Sequence, residues 1–198
     1  AIGAPSDRAL GVPGEALAGS HPATDFVGWY NGHPDYRDQQ FDLTQEAVAV
    51  IGMGNVAVDV VRVLARTPEE LHGSDIAPHA LEALRHSRVR TIYMIGRRGP
   101  AQGAYTNPEL KELGEMGAAD IDVRAAELVL DPASAAALAA ADDKSTERNL
   151  LTLASFAAKL PPGKTGTIAL RFVRSPVAHG RLKGVATAAA AGLPGVLG

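Results

Sequence analysis

The chain has 198 residues, a formal net charge of -3 at pH 7 and no cysteine. That length suffices for one substantial α/β domain with a buried core. The missing cysteines exclude disulfides, iron–sulfur ligation and thiol redox chemistry by this chain, and the charge balance gives no reason to expect nucleic-acid binding. No apolar run approaches the roughly 20 residues of a membrane span, and no signal-peptide pattern opens the chain, so a cytoplasmic location is the expectation. The first residues are Ala1-Ile2-Gly3, without an initiator methionine, which reads as an excised domain or a processed protein.

Residues 1–20 read as a strand end followed by loop, punctuated by Gly3, Pro5, Gly11, Pro13 and Gly14. The stretch from Thr24 to Tyr30 predicts a short helix that ends in the turn Asn31-Gly32-His33-Pro34. Ala47-Val48-Ala49-Val50-Ile51 is a β-branched run suited to a central parallel strand buried on both faces. It leads through Gly52-Met53-Gly54 into Asn55–Leu64, whose apolar residues fall at helical spacing. A second helix is expected over 77–87, a second buried strand over Thr91–Ile95, a helix after Pro108, and a strand at Ile121–Val123. The alanine-rich segment 133–160 reads as one or two surface helices closed by Pro161-Pro162-Gly163. Ile168–Val173 and Leu182–Val185 then suggest the strands of a small β-meander. No internal repeat or second domain is visible.

Gly52-Met53-Gly54-Asn55-Val56-Ala57 matches G-x-G-x-x-A between a strand and a helix. The first glycine permits the tight turn, the second lets backbone approach a pyrophosphate, and the small third position lets helix pack on strand. The amides of the helix start then face the phosphates, assisted by the helix dipole. The alternative is a glycine turn that serves only packing. Asn55 has the position both to cap the helix and to touch phosphate.

After the second strand stands Ile95-Gly96-Arg97-Arg98-Gly99-Pro100. NAD-binding folds usually place a carboxylate here for the ribose hydroxyls, whereas NADP sites favour arginine for the 2′-phosphate. The planar guanidinium suits bidentate phosphate contact. A solvated charge pair is the alternative. Gly54 and Arg97 lie farther apart than the roughly 20 residues of the compact fingerprint. A helical insertion around 68–87 accounts for the gap and favours a flavoprotein-type domain.

At these residues the sequence resembles the adrenodoxin-reductase-like ferredoxin–NADP reductases. The resemblance rests on Gly52–Asp59, Gly96–Gln102 and Pro108–Leu113, with support from Leu10–Glu15, Trp29–Gly32 and Leu170–Pro176. It implies a Rossmann-like α/β domain with a central parallel sheet, helices and a small β-meander, spanning 1–198 of a larger flavoprotein. The FAD-binding domain would lie on either side of it. NADPH would pass hydride to FAD, and the flavin would pass electrons on to ferredoxin.

Carried over residue by residue, the resemblance implies that Asn55, Val56, Ala57 and Val58 line the pyrophosphate beside Gly52 and Gly54, and that Arg97 and Arg98 grip the 2′-phosphate. Glu109 would lie near the ribose or nicotinamide, Glu112 would face the flavin as the candidate catalytic group, and Arg8 would add a further NADP contact. The isolated chain should therefore bind NADP(H) without turning over.

Two alternatives remain open from sequence, the NADPH-binding portion of a glutamate-synthase-type flavoprotein and a non-enzymatic NADP-binding module. Gly163-Lys164-Thr165 looks like the end of a P-loop, but Ala158 stands where its first glycine belongs and a strand follows. The six histidines show no metal-ligand spacing, so no metal is expected. No serine, histidine and acid combination supports hydrolysis.

Overall fold

The computed structural model describes residues 9–159 and 163–173. Helix α1 (Ala23–Tyr30) precedes strand β1 (Ala47–Ile51), followed by helices α2 (Asn55–Ala65), α3 (Pro68–His72) and α4 (Pro78–Arg85). Strand β2 (Thr91–Gly96), helix α5 (Asn107–Leu113) and strand β3 (Ala119–Val123) come next. Helices α6 (Pro132–Ala141) and α7 (Lys144–Ala157) then lead to strand β4 (Gly166–Phe172). The four strands form one parallel sheet in the order β1-β2-β4-β3. Parallel neighbours need long crossovers, which the helices supply.

The register puts Val48, Ile92, Ile168 and Ile121 in one row, and Val50, Met94, Leu170 and Val123 in another, on a single face. Helix α2 packs against β1, β2 and β4, and α7 against β3. Valine is a modest helix former, so α2 owes its stability to burial: Ala57, Val58, Val60, Val61 and Ala65 are all in the core. Helix α3 starts with a capping box in which Thr67 accepts from the Glu70 amide and Glu70 accepts from the Thr67 amide. Together α3 and α4 fill the insertion expected over 68–87.

Three sequence expectations need correction. Among the described residues strand β1 stands at the edge of the sheet, and it is not buried on both faces, since Ile51 keeps 56% of its surface exposed. Its local pattern carries no record of how many strands flank it, which is set by long-range pairing: β1 meets β2 alone among the described strands. Strand β4, expected to open a meander, is instead an inner strand of the parallel sheet, and Leu182–Val185 falls outside the described residues. Finally, the 133–160 segment divides into unlike helices. Helix α6 buries nothing, whereas α7 buries Leu153 and Phe156 together with Asn149 and Thr152.

Candidate functional site

The glycine loop joins the end of β1 to α2. Gly52 has φ +150°, a conformation that side-chain-bearing residues avoid, and its amide donates to the Ile95 carbonyl at 2.9 Å. A Cβ on Gly52 would meet the Ala57 Cβ at 3.4 Å, so these two small residues let α2 approach the strand. Gly54 is the N-cap of α2, and a Cβ placed there would meet nothing within 4 Å. No side chain caps this helix. Its first-turn amides and the positive end of its dipole therefore open to solvent at the exposed Asn55 and Val56.

The end of β2 lies beside this loop. Met53 lies over Gly96, with its Cγ 2.5 Å from where a Cβ would stand, so any larger residue would push the loop away. Arg97 and Arg98 follow at once, both exposed. Arg98 makes a long 3.5 Å contact with the Gln102 carbonyl. Arg97 has no hydrogen bond or ion pair among the described residues. An exposed, unpartnered guanidinium beside an uncapped helix start is an arrangement suited to phosphate.

A third segment closes the site. The Ala104 amide donates to the Met53 carbonyl at 2.6 Å, and the Thr106 amide donates to the Asn55 Oδ1 at 2.9 Å, which anchors the start of α5 to the start of α2. A buried polar network steadies this segment from behind. Asn107 Nδ2 donates to Asn149 Oδ1 at 3.1 Å and to Thr152 Oγ1 at 2.9 Å, while Asn149 Nδ2 donates to the Tyr105 carbonyl at 3.1 Å. The Tyr105 hydroxyl is buried without a partner among the described residues, and burial pushes its pKa well above the usual tyrosine value.

Two turns along α2, Arg62 reaches across to α5. Its Nη1 donates to Glu109 Oε2 at 3.1 Å and to Glu112 Oε2, and its Nη2 donates to Asp59 Oδ1. Burial opposes the charge on Arg62, but the Glu112 hydrogen bond and the three carboxylates outweigh it and raise the pKa. Tyr30 lies beside the group, its pKa raised by burial and by Asp59.

The structure thus brings Gly52, Gly54, Asn55, Val56, Ala57, Arg97 and Arg98 to one end of the sheet, with Glu109 and Glu112 on the adjoining helix. Val58 departs from its expected role: its side chain is fully buried and its amide bonds to the Gly54 carbonyl, which leaves no group for a phosphate. Asn55 does not cap α2, because it sits inside the helix and its oxygen holds Thr106. Arg8 lies outside the described residues. Sequence reasoning missed Arg62, Asn149 and Asn107. The one signal for Arg62 is that Asp59/Arg62 and Glu109/Glu112 are both charged pairs at i,i+3.

Two grooves of about 530 and 260 Å³ lie elsewhere, around Pro68 and Arg85 and toward the starts of β2 and β4. Gly52, Met53 and Gly54 of the glycine loop are themselves partly exposed. Among the described residues no helix is long and apolar enough to cross a membrane.

The chain is 42% identical over 181 residues to the NADPH-ferredoxin reductase FprA of Mycobacterium leprae, covering 89% of this chain and 38% of that protein. It is also 42% identical over 174 residues to the mitochondrial NADPH:adrenodoxin oxidoreductase of Arabidopsis thaliana, covering 87% and 36% respectively. The solved structure of Mycobacterium tuberculosis FprA in complex with NADPH matches with a TM-score of 0.78 at 43% identity, over 87% of this chain and 37% of that one. No protein-family model matches. The chain therefore spans well under half the length of these curated relatives.

Proposed function

Because this chain belongs to the family of the NADPH-ferredoxin and NADPH:adrenodoxin reductases, we propose that it is their NADP(H)-binding domain, working within a larger cytoplasmic flavoprotein. The observation that carries this reading is the open, uncapped start of α2 at the glycine loop, with Arg97, unpartnered among the described residues, at the neighbouring strand end. The first supplies amides and a positive dipole end for a pyrophosphate. The second supplies the cation that a 2′-phosphate requires and a plain ribose does not.

The residues present fit the dinucleotide. Open space at the Gly54 Cβ position admits close approach of a phosphate to backbone. Exposed Asn55 and Val56 carry amides at the mouth of the loop. When bound, NADPH supplies the hydride, and the domain's task is to hold and orient the nicotinamide. Gly52 and Ala57 fix where the helix start points, Arg97 and Arg98 select the phosphorylated cofactor, and Glu109 and Glu112 offer carboxylate oxygens to neutral donors of the ribose or carboxamide. In the whole protein the acceptor is the FAD of the adjoining domain, and ferredoxin is the electron partner.

Titration of the chain with NADPH and with NADH tests this reading. Preferential binding of NADPH is the expected result. Equal affinity for the two would refute the arginine argument, and binding of neither would refute the assignment as an NADP(H) domain.

A further inference from the structure

We propose that Arg62 is a positioning residue of the dinucleotide site, holding Glu109 and Glu112 as one fixed pair of carboxylates. The inference rests on the NADP(H) reading above and concerns a residue outside the loop and the arginine pair. Glu109 and Glu112 are three residues apart on α5, where like charges repel. Among the described residues, Arg62 is the only hydrogen-bond or ion-pair partner that either carboxylate has. Both carboxylates use Oε2 for this contact, so each Oε1 stays unbonded to described residues and free to accept from a ligand.

The arrangement needs arginine. One nitrogen, Nη1, serves two carboxylates on α5, while the other, Nη2, is turned away to Asp59 on its own helix. Asp59 and the packing of α2 thus set the direction of the fork, and the fork sets the two glutamates. A lysine ammonium would preserve the charge without that geometry. Side-chain exposures of 21% for Arg62, 31% for Glu109 and 43% for Glu112 put the group at the protein surface, where a cofactor can reach it. Arg62 lies two turns, roughly 10 Å, along α2 from the phosphate-facing loop. That separation suits the part of a dinucleotide remote from its pyrophosphate. Carboxylates fit hydroxyl or carboxamide donors there and would repel phosphate.

The test is a set of affinities for NADPH and NADH, with melting temperatures, for the parent chain, Arg62→Gln, Arg62→Lys, the Glu109→Gln/Glu112→Gln double variant, and the combination of Arg62→Gln with that double variant. Arg62→Gln should weaken both cofactors by a similar factor, roughly tenfold, since ribose and nicotinamide donors are common to them. The combined variant should bind no worse than the glutamate double variant, because Arg62 acts through those two residues. Arg62→Lys should recover part of the loss and keeps the proposal testable if Arg62→Gln does not fold.

Unchanged affinity in folded Arg62 variants would overturn the proposal. So would losses that multiply in the combined variant, which is the outcome expected if Arg62 merely braces α2 against α5. If the glutamate double variant binds like the parent while Arg97→Ala still loses NADPH, this inference fails alone. If the parent binds neither cofactor, it fails together with the reading it rests on.

Discussion

Replacing Arg97 by alanine should weaken NADPH binding while leaving both the fold and NADH binding intact. The side chain is exposed and has no partner among the described residues, so its removal breaks no native contact. The melting temperature should therefore match the parent, as for surface substitutions generally. A hydrogen bond to a charged group contributes about 1.5–3 kcal/mol, and solvent exposure puts Arg97 at the low end. About 1.5 kcal/mol is roughly a tenfold loss of NADPH affinity. The retained Arg98 keeps the loss from being larger, since its own contact with Gln102 is a long 3.5 Å and leaves it able to turn.

The measurement is a pair of titrations, NADPH and NADH, at two salt concentrations. The NADPH loss should shrink as salt rises, because the lost contact is between exposed charges. It should also shrink below about pH 6, where the second ionisation of a phosphate monoester is reversed. Equal losses for NADPH and NADH would refute the reasoning, since NADH carries no 2′-phosphate. A fall in melting temperature would refute it as well, by showing that Arg97 has a structural role.

Gly54→Ala should behave differently. The new methyl meets nothing within 4 Å, so stability should change by no more than about 1 kcal/mol. Because it occupies the space through which backbone approaches the pyrophosphate, NADPH and NADH should weaken together; selective loss of NADPH alone would contradict the site as drawn. Tyr105→Phe removes a buried hydroxyl that has no partner among the described residues, and should stabilise the fold by about 1 kcal/mol at neutral pH in thermal or urea unfolding. Burial raises the folded-state pKa of Tyr105, so stability from its neutral form is complete below about pH 10 and is lost as pH rises above that. The parent should lose about 1.4 kcal/mol per pH unit more than Tyr105→Phe in that range, and parallel pH profiles would show that the hydroxyl finds a partner.

The parts of the site legible in the sequence are those whose chemistry is contiguous. Strand, glycine turn and helix occupy 47–65 without interruption, and Arg97 and Arg98 stand directly after a strand. Each therefore carries its structural context in its own neighbours. Strand order is not contiguous. The residues Ala47–Ile51 look the same whether the strand is central or at an edge, and what decides is that β1 pairs with β2 alone among the described strands. The packed face of helix α7 is hidden for a related reason. Asn149 and Thr152 interrupt its apolar period and so suggest solvent, yet both face Asn107, and Asn149 also holds the Tyr105 carbonyl. A polar residue that satisfies a loop is indistinguishable in sequence from one that faces water.

Arg62 is the sharpest case of that ambiguity. With Asp59 it forms an ordinary i,i+3 ion pair, the usual mark of an exposed helix face. Its other partners lie on a helix that the sequence does not attach to it. What attaches them is a chain of backbone anchors: Ala104 to Met53 and Thr106 to Asn55. Those two hydrogen bonds fix where α5 begins relative to α2, and the helical rise then delivers Glu109 and Glu112 to Arg62. The same two bonds start from the glycine loop. The glycine-loop end and the carboxylate-bearing end of the proposed site are therefore set by one local structure, and a change that loosens the loop should also disturb the distant carboxylates.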